Sequence, residues 1–326
     1  MILDGSEASA IERAAAALAA GELVAMPTET VYGLAARADD DGAVARIFAA
    51  KGRPADHPLI VHVATPDAAD RFAAEMPPLA RRLAQAFWPG PLTLIVKRRE
   101  GLAAAAAGGQ DTVGLRCPSH PVAQALLTAA ARLGVPGVAA PSANRFGRIS
   151  PTRAAHVADE FGDTLLVLDG GACEVGIESS IVDCSRGHPV LLRPGILPVE
   201  RLEAVAGEPL RAPDALAPRA SGTLEAHYAP RARLRLMDGP RLKAALEVLG
   251  NSPPRLALYS RTVVPGRASG IVHRTMPSSP EAAAHELFAA LRDLDAQGVP
   301  LIWVEAPPAG SEWDGVRDRL TRAAAA

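Results

Sequence analysis

The chain has 326 residues, 48% of them hydrophobic and 21% charged, with 34 basic against 36 acidic side chains for a formal net charge of −2. That length exceeds one ordinary core, so two domains are expected. The near-neutral balance excludes the global basic field of a general nucleic-acid binder or a polybasic membrane anchor, so any polyanion must be held locally. Cys117, Cys173 and Cys184 lack C-x-x-C spacing and the eight histidines never form H-E-x-x-H, which speaks against a disulfide framework and a zinc site. No basic segment leads into an apolar run at the start, and no membrane-length apolar stretch is free of charges and prolines. An unexported cytoplasmic protein is therefore expected.

In chain order, residues 9–20 read as an alanine-rich helix that Gly21 ends, and 23–26 as a buried strand. Pro27-Thr-Glu-Thr-Val-Tyr-Gly-Leu34 then sets two hydroxyls, a carboxylate and a phenol at a strand end, where open α/β sheets bind ligands. The same residues suit a cap and turn, and spacing does not choose. Val44, Ile47 and Phe48 recur at helical spacing, which puts Lys51 in the last turn of a helix stopping before Gly52, while Pro54 holds Arg53 extended. Lys51-Gly-Arg-Pro-Ala-Asp-His-Pro-Leu-Ile-Val-His62 thus turns two cations off a helix end into a surface mouth suited to a polyanion. The alternative is a cation that only complements the helix dipole. With just three lysines among 34 basic residues, a lysine here favours the anion-binding reading.

Residues 59–63 form a short strand with His62 opposite Leu59, Val61 and Val63. Leu79, Leu83 and Phe87 mark a helix that stops at the structural corner Trp88-Pro-Gly-Pro91, and 92–96 is the next strand. In Thr112-Val-Gly-Leu-Arg116 the polar residues alternate with apolar ones. The arginine fork suits a carboxylate or phosphate, or is simply solvated. After a helix carrying Val122, Leu126 and Leu127, Ser142-Ala-Asn-Arg-Phe-Gly-Arg-Ile-Ser150 offers amides and hydroxyls to a phosphate or base, or makes an ordinary loop. Strands at 165–168, 176–183 and 191–195 follow, the last two carrying Ser179 and Arg193, and close a first domain over residues 1–207. Residues 208–230 hold four prolines and little periodicity, which marks a linker long enough to cross a domain face. Residues 231–326 alternate strands near 234–236, 256–259, 271 and 301–304 with helices through Leu242, through Leu287 to Leu294, and over 313–323. That pattern indicates a small α/β domain. Neither G-x-G-x-x-G nor G-x-x-x-x-G-K-[ST] occurs in the chain.

Taken in order, Pro27-Thr-Glu-Thr-Val-Tyr-Gly-Leu34, Lys51-Gly-Arg-Pro54, Trp88-Pro-Gly-Pro-Leu-Thr93, Val113-Gly-Leu-Arg-Cys-Pro118, Pro141-Ser-Ala-Asn144, Glu178-Ser179 and Leu192-Arg-Pro-Gly195 resemble the YrdC family. His227-Tyr-Ala-Pro230 and the domain behind it resemble the family's longer, two-domain form, so the likeness spans nearly the whole chain. It implies a YrdC-like twisted mixed sheet with a concave anion-binding face, followed by a smaller Rossmann-like α/β domain. It also implies synthesis of L-threonylcarbamoyl-AMP from L-threonine, bicarbonate and ATP with release of pyrophosphate. The product would pass to a tRNA threonylcarbamoyl-transfer complex, without stable nucleic-acid binding or membrane association.

By resemblance Thr30, His62, Arg116, Ala140 and Ser179 hold threonine. Lys51, Arg53, His57, Thr112, Ser142, Ser150, Arg193 and Tyr228 hold ATP, with Lys51 and Arg53 catalytic and magnesium carried on the phosphates. Such chemistry needs aligned anions and neutralised charge rather than a protein nucleophile. The linker would act as a lid over nucleotide. The chain departs from the family pattern at His57, where asparagine is usual, at Ser180, where threonine is usual, and along Ser221-Gly-Thr-Leu-Glu-Ala-His227. The rival readings are an RNA-binding or ribosome-associated module and a carbamoyl-transferring maturation protein. Sparse aromatic residues disfavour the first and the lack of zinc-finger cysteines the second.

Overall fold

Strand after strand in the first two hundred residues is apolar on both faces, the mark of a sheet covered on both sides. The computed structural model describes residues 1–249, 255–266 and 270–326. These divide into one unit of Met1–Phe146 with Ser150–Thr223 and a second of Gly147–Ile149 with Leu224–Ala326. The strands of the first unit are β1 (Ile2–Asp4), β2 (Val24–Met26), β3 (Gly33–Arg37), β4 (Ile60–His62), β5 (Leu92–Lys97), β6 (Thr112–Arg116), β7 (Val138–Ala139), β8 (Leu166–Asp169), β9 (Ser180–Asp183) and β10 (Val190–Arg193). They join in the order β1-β8-β2-β3-β7-β4-β6-β5-β9-β10, with parallel and antiparallel pairs mixed. Its helices are α1 (Ala8–Ala19), α2 (Asp41–Lys51), α3 (Pro78–Phe87), α4 (Pro121–Arg132), α5 (Ala154–Phe161) and α6 (Val199–Ala206).

The period-two alternation of strands sorts the residues into layers. Val24 and Met26 join α1 and α4 in one core, while Ala25 between them joins the other. Farther along the sheet, Val61, Leu92, Leu94, Val96, Val113, Leu115 and Val182 share the large core with α2 and α3. The residues between them, Ile60, Ile95 and Ile181, fall in a separate cluster with Val190 and Leu192. This second face also receives the polar residues that alternate with the core positions: His62 on β4, Thr112 and Arg116 on β6, and Thr93 on β5. The alternation therefore gives the sheet an apolar floor and a polar end on one face.

Helix α2 shows how the chain delivers Lys51. The Asp40 carboxylate caps its start by accepting from the Gly42 and Ala43 amides at 2.8 and 3.1 Å. Gly52, at φ 64°, ends it in the left-handed region that only glycine enters freely. The Arg53 amide then donates back to the Phe48 carbonyl at 3.0 Å, so the two cations leave the helix end within one turn of each other.

Residues 208–223 stay with the first unit and 224–230 with the second. Ala217 and Ala220 pack on the floor formed by Ile60, Ile95, Ile181, Val190 and Leu192. The Arg219 amide donates to Gln110 Oε1 at 2.8 Å, and Gln110 Nε2 donates back to the Arg219 carbonyl at 3.1 Å. The second unit is an all-parallel sheet in the order β11-β14-β12-β13, from β11 (Arg233–Met237), β12 (Leu256–Ser260), β13 (Ile271–Thr275) and β14 (Leu301–Glu305). Helices α7 (Gly239–Leu249), α8 (Pro280–Asp295) and α9 (Asp314–Ala324) accompany it, the layered arrangement expected of a Rossmann-like fold. Among the described residues no helix is long and apolar enough to cross a membrane.

Candidate active site

The polar end of the β4-β6-β5-β9 face is assembled by register. His62 pairs with Arg116 across the parallel β4–β6 ladder. Thr93 lies one residue along from the Leu94–Leu115 pair of β5 and β6, and Ser179 immediately precedes β9. The Thr93 and Ser179 hydroxyls are 2.8 Å apart. Arg193, which ends β10, donates from Nε to the Ser179 carbonyl at 3.0 Å, from Nη2 to Ser179 Oγ at 3.2 Å and from Nη1 to the Ser221 carbonyl at 2.8 Å. Arg116 donates from Nη1 to Thr30 Oγ1 at 2.9 Å and from Nε to the Gly90 carbonyl at 3.3 Å, and its Nη2 lies 2.7 Å from Glu29 Oε1.

The 27–34 segment forms a turn in which the two threonines take different partners. Thr28 Oγ1 donates to the Val31 carbonyl and accepts from the Thr30 and Val31 amides, closing the turn. Thr30 is thereby left facing Arg116. Tyr32 is structural: its hydroxyl donates to the Gly171 carbonyl at 2.8 Å, and burial pushes the phenol well up.

His62 is buried, and desolvation, helped by the Arg116 charge, lowers its pKa to about 3. The ring is therefore neutral at working pH. Its Nδ1 donates to the Ile60 carbonyl at 3.2 Å, which makes Nε2 a hydrogen-bond acceptor.

The cation pair corrects the expectation of a surface mouth. Lys51 is 3% exposed and Arg53 8%. Lys51 Nζ donates to the Ser142 carbonyl at 2.6 Å and the Asn144 carbonyl at 2.5 Å, while the Phe146 amide donates to the Lys51 carbonyl at 2.9 Å. The 142–146 loop thus folds over the helix end and buries the cation. Burial, then the nearby Arg53 charge, drives the ammonium pKa well below its ordinary value, against the pull of Glu160 and Glu178. Arg53 donates from Nη2 to the Pro58 carbonyl at 3.0 Å and lies over the Phe146 ring at 5.7 Å. His57 meets the same ring edge-on at 5.4 Å, and burial, then Arg53, lowers its pKa.

The remaining predicted residues divide between the units. Thr112 is buried at the start of β6. The Ala140 amide donates to the Ile60 carbonyl at 3.0 Å, next to β7. Ser142 offers Lys51 its carbonyl, and Ser150 donates to Glu178 Oε1 at 2.5 Å. Tyr228 belongs to the second unit, where its ring packs on Phe288 at 5.3 Å, beneath the Arg319 guanidinium at 5.6 Å. Its φ of 62° is rare for an aromatic residue and marks a constrained backbone. Thr93 and Ser221 complete the polar network without having been singled out, and Glu29 joins it as the carboxylate of the 27–34 cluster. Thr93 carried a readable signal, as one hydroxyl inside an otherwise apolar strand.

Residues 16–195 match the Sua5/YciO/YrdC family model, described as telomere recombination. The chain belongs to the Sua5/YciO/YrdC family. Residues 197–325 match a second model, the threonylcarbamoyl-AMP synthase C-terminal domain. The threonylcarbamoyl-AMP synthase of Pyrococcus abyssi is 40% identical over 96% of this chain and 93% of its own, and that of Bacillus subtilis 37% identical over 96% and 92%. The crystal structure of P. abyssi Sua5 complexed with L-threonine aligns with a TM-score of 0.88 at 37% identity, covering 98% of this chain and 95% of that one. The Sua5-type, two-domain mixed α/β architecture is thus shared along the full length.

Proposed function

We propose that the protein synthesises L-threonylcarbamoyl-AMP from L-threonine, bicarbonate and ATP, releasing pyrophosphate. The observation that carries this reading is the buried Arg116–Thr93–Ser179–Arg193 polar end, in a chain whose near-full-length relatives bear the synthase name. Arg116 is the fork for the threonine carboxylate, supported by Thr30, Ser179 and the Ala140 backbone. The neutral His62 accepts the threonine side-chain hydroxyl at Nε2, a contact that valine cannot make.

The carbamate formed from threonine and bicarbonate attacks the α-phosphorus of ATP, so two anions must be brought together. Lys51, Arg53 and Arg193 lower the cost of that approach. His57, Thr112, Ser142 and Ser150 complete the nucleotide contacts within the first unit. Among the described residues no three His, Cys, Asp or Glu side chains gather as a metal site. Magnesium would arrive on the ATP phosphates and supply charge neutralisation there. Within the 208–230 linker, the stretch carrying Ala217 and Ala220, which pack on the apolar floor, is the part that would shield a reactive acyl phosphate from water. The protein acts in the cytoplasm and passes its product to a tRNA threonylcarbamoyl-transfer complex.

The test is pyrophosphate release by the purified protein. It should require ATP, L-threonine and bicarbonate together, and valine in place of threonine should support far less. Tight tRNA binding without pyrophosphate release would favour the RNA-binding reading instead.

A further inference from the structure

Glu29 is 3% exposed, yet neither carboxylate oxygen has a hydrogen-bond partner. The Arg116 Nη2 contact at 2.7 Å is an ion pair by distance, but its approach is off the hydrogen-bond line, so Nη2 too lacks a partner. A buried carboxylate with open lone pairs is costly unless something arrives to satisfy it. The groups facing Glu29 do not do so. His120 uses Nδ1 to accept the Val122 amide at 3.2 Å, and burial lowers its pKa. The Cys117 and Cys173 thiols, both within the field of Glu29, are pushed up by burial and stay protonated. The result is a guanidinium and a carboxylate side by side with unused hydrogen-bonding capacity. This is the complement of an amino-acid zwitterion, whose carboxylate and ammonium are likewise neighbours.

We infer that Glu29 is a catalytic residue that holds the α-ammonium group of threonine and takes its proton. The inference rests on the proposed function and deepens it. Threonine binds by exchanging the internal Arg116–Glu29 contact for two external ones, its carboxylate on Arg116 and its ammonium on Glu29. Only the free amine can attack, so one N–H proton passes to the Glu29 carboxylate. The nitrogen lone pair then forms the C–N bond to the bicarbonate carbon, and a C–O bond of bicarbonate breaks. The departing hydroxide takes the second proton lost by nitrogen and leaves as water. Carbamate, water and a protonated Glu29 balance the ammonium and bicarbonate that entered. Glu29 then returns its proton to solvent.

The experiment measures binding of two ligands to the full chain by calorimetry: L-threonine, and 3-hydroxybutanoate of matching configuration, which lacks only the amine. Glu29→Gln should weaken threonine roughly 30-fold or more, the scale of one buried charge contact, and leave 3-hydroxybutanoate bound at least as tightly as before, because its carboxylate no longer competes with Glu29 for Arg116. Its residual turnover should climb with pH towards the pKa of the threonine amine, because solvent must now remove the proton. If Glu29→Gln does not fold, Glu29→Asp supplies the same comparison, with a smaller loss for threonine alone. Equal weakening of both ligands would overturn the inference and leave Glu29 as a positioning residue for Arg116. A wild-type protein that binds no threonine would overturn the proposed function with it.

Discussion

Arg116→Ala will destabilise the first unit by about 3–5 kcal/mol, because it strips the partner from the buried Glu29 carboxylate. It will also abolish threonine-dependent pyrophosphate release. Stability and catalysis are entangled in that variant, and Arg116→Lys separates them. A lysine keeps the charge beside Glu29 but cannot reach Thr30, Gly90 and Glu29 at once as the fork does. Urea denaturation should show most of the lost stability restored, while turnover stays down by roughly 100-fold, as expected when aligned charge stabilisation is lost. If Arg116→Lys turned over like the wild type, the guanidinium would be a structural strut.

Lys51→Met is expected to behave differently, with a large loss of activity and a small change in stability. Removing the ammonium leaves the Ser142 and Asn144 carbonyls without that donor, at about 1–3 kcal/mol each. Against this stands relief from burying a cation, the same desolvation that lowers the ammonium pKa. The two effects offset, so the denaturation midpoint should move little. Pyrophosphate release should fall roughly 100-fold, since one of the charges that bring the two anions together is lost. A lysine kept only to pin the 142–146 loop would give the reverse pattern, with stability lost and turnover retained.

These two residues also show what the sequence made legible. Arg116 and Thr112 stood out because polar residues alternated with core positions in β6, and His62 stood out likewise in β4; the sheet turned all three to the face opposite the main core. Lys51 was placed correctly at its helix end, but its burial was not foreseen. The carbonyls that hold it lie 91 and 93 residues away, and no local pattern announces that a loop so distant will close over the helix. The Glu29–Arg116 contact was hidden for the same reason, since it depends on the order of strands in the sheet and not on either motif. Strand β3 escaped notice because Gly-Leu-Ala-Ala-Arg has little strand character. It is extended because β2 and β7 pair with it on both sides, at Val24–Ala35 and Ala36–Ala139. Helices α5 and α6, at 8 residues each, were too short to carry a clear repeat.

The most direct measurement of the central claim is the mass of the product formed from ATP, L-threonine and carbon-13 bicarbonate. The reaction should yield threonylcarbamoyl-AMP one mass unit heavier than that made from ordinary bicarbonate, together with an equal amount of pyrophosphate. Consumption of ATP without a labelled adenylate, or an adenylate of threonine that carries no bicarbonate carbon, would contradict it.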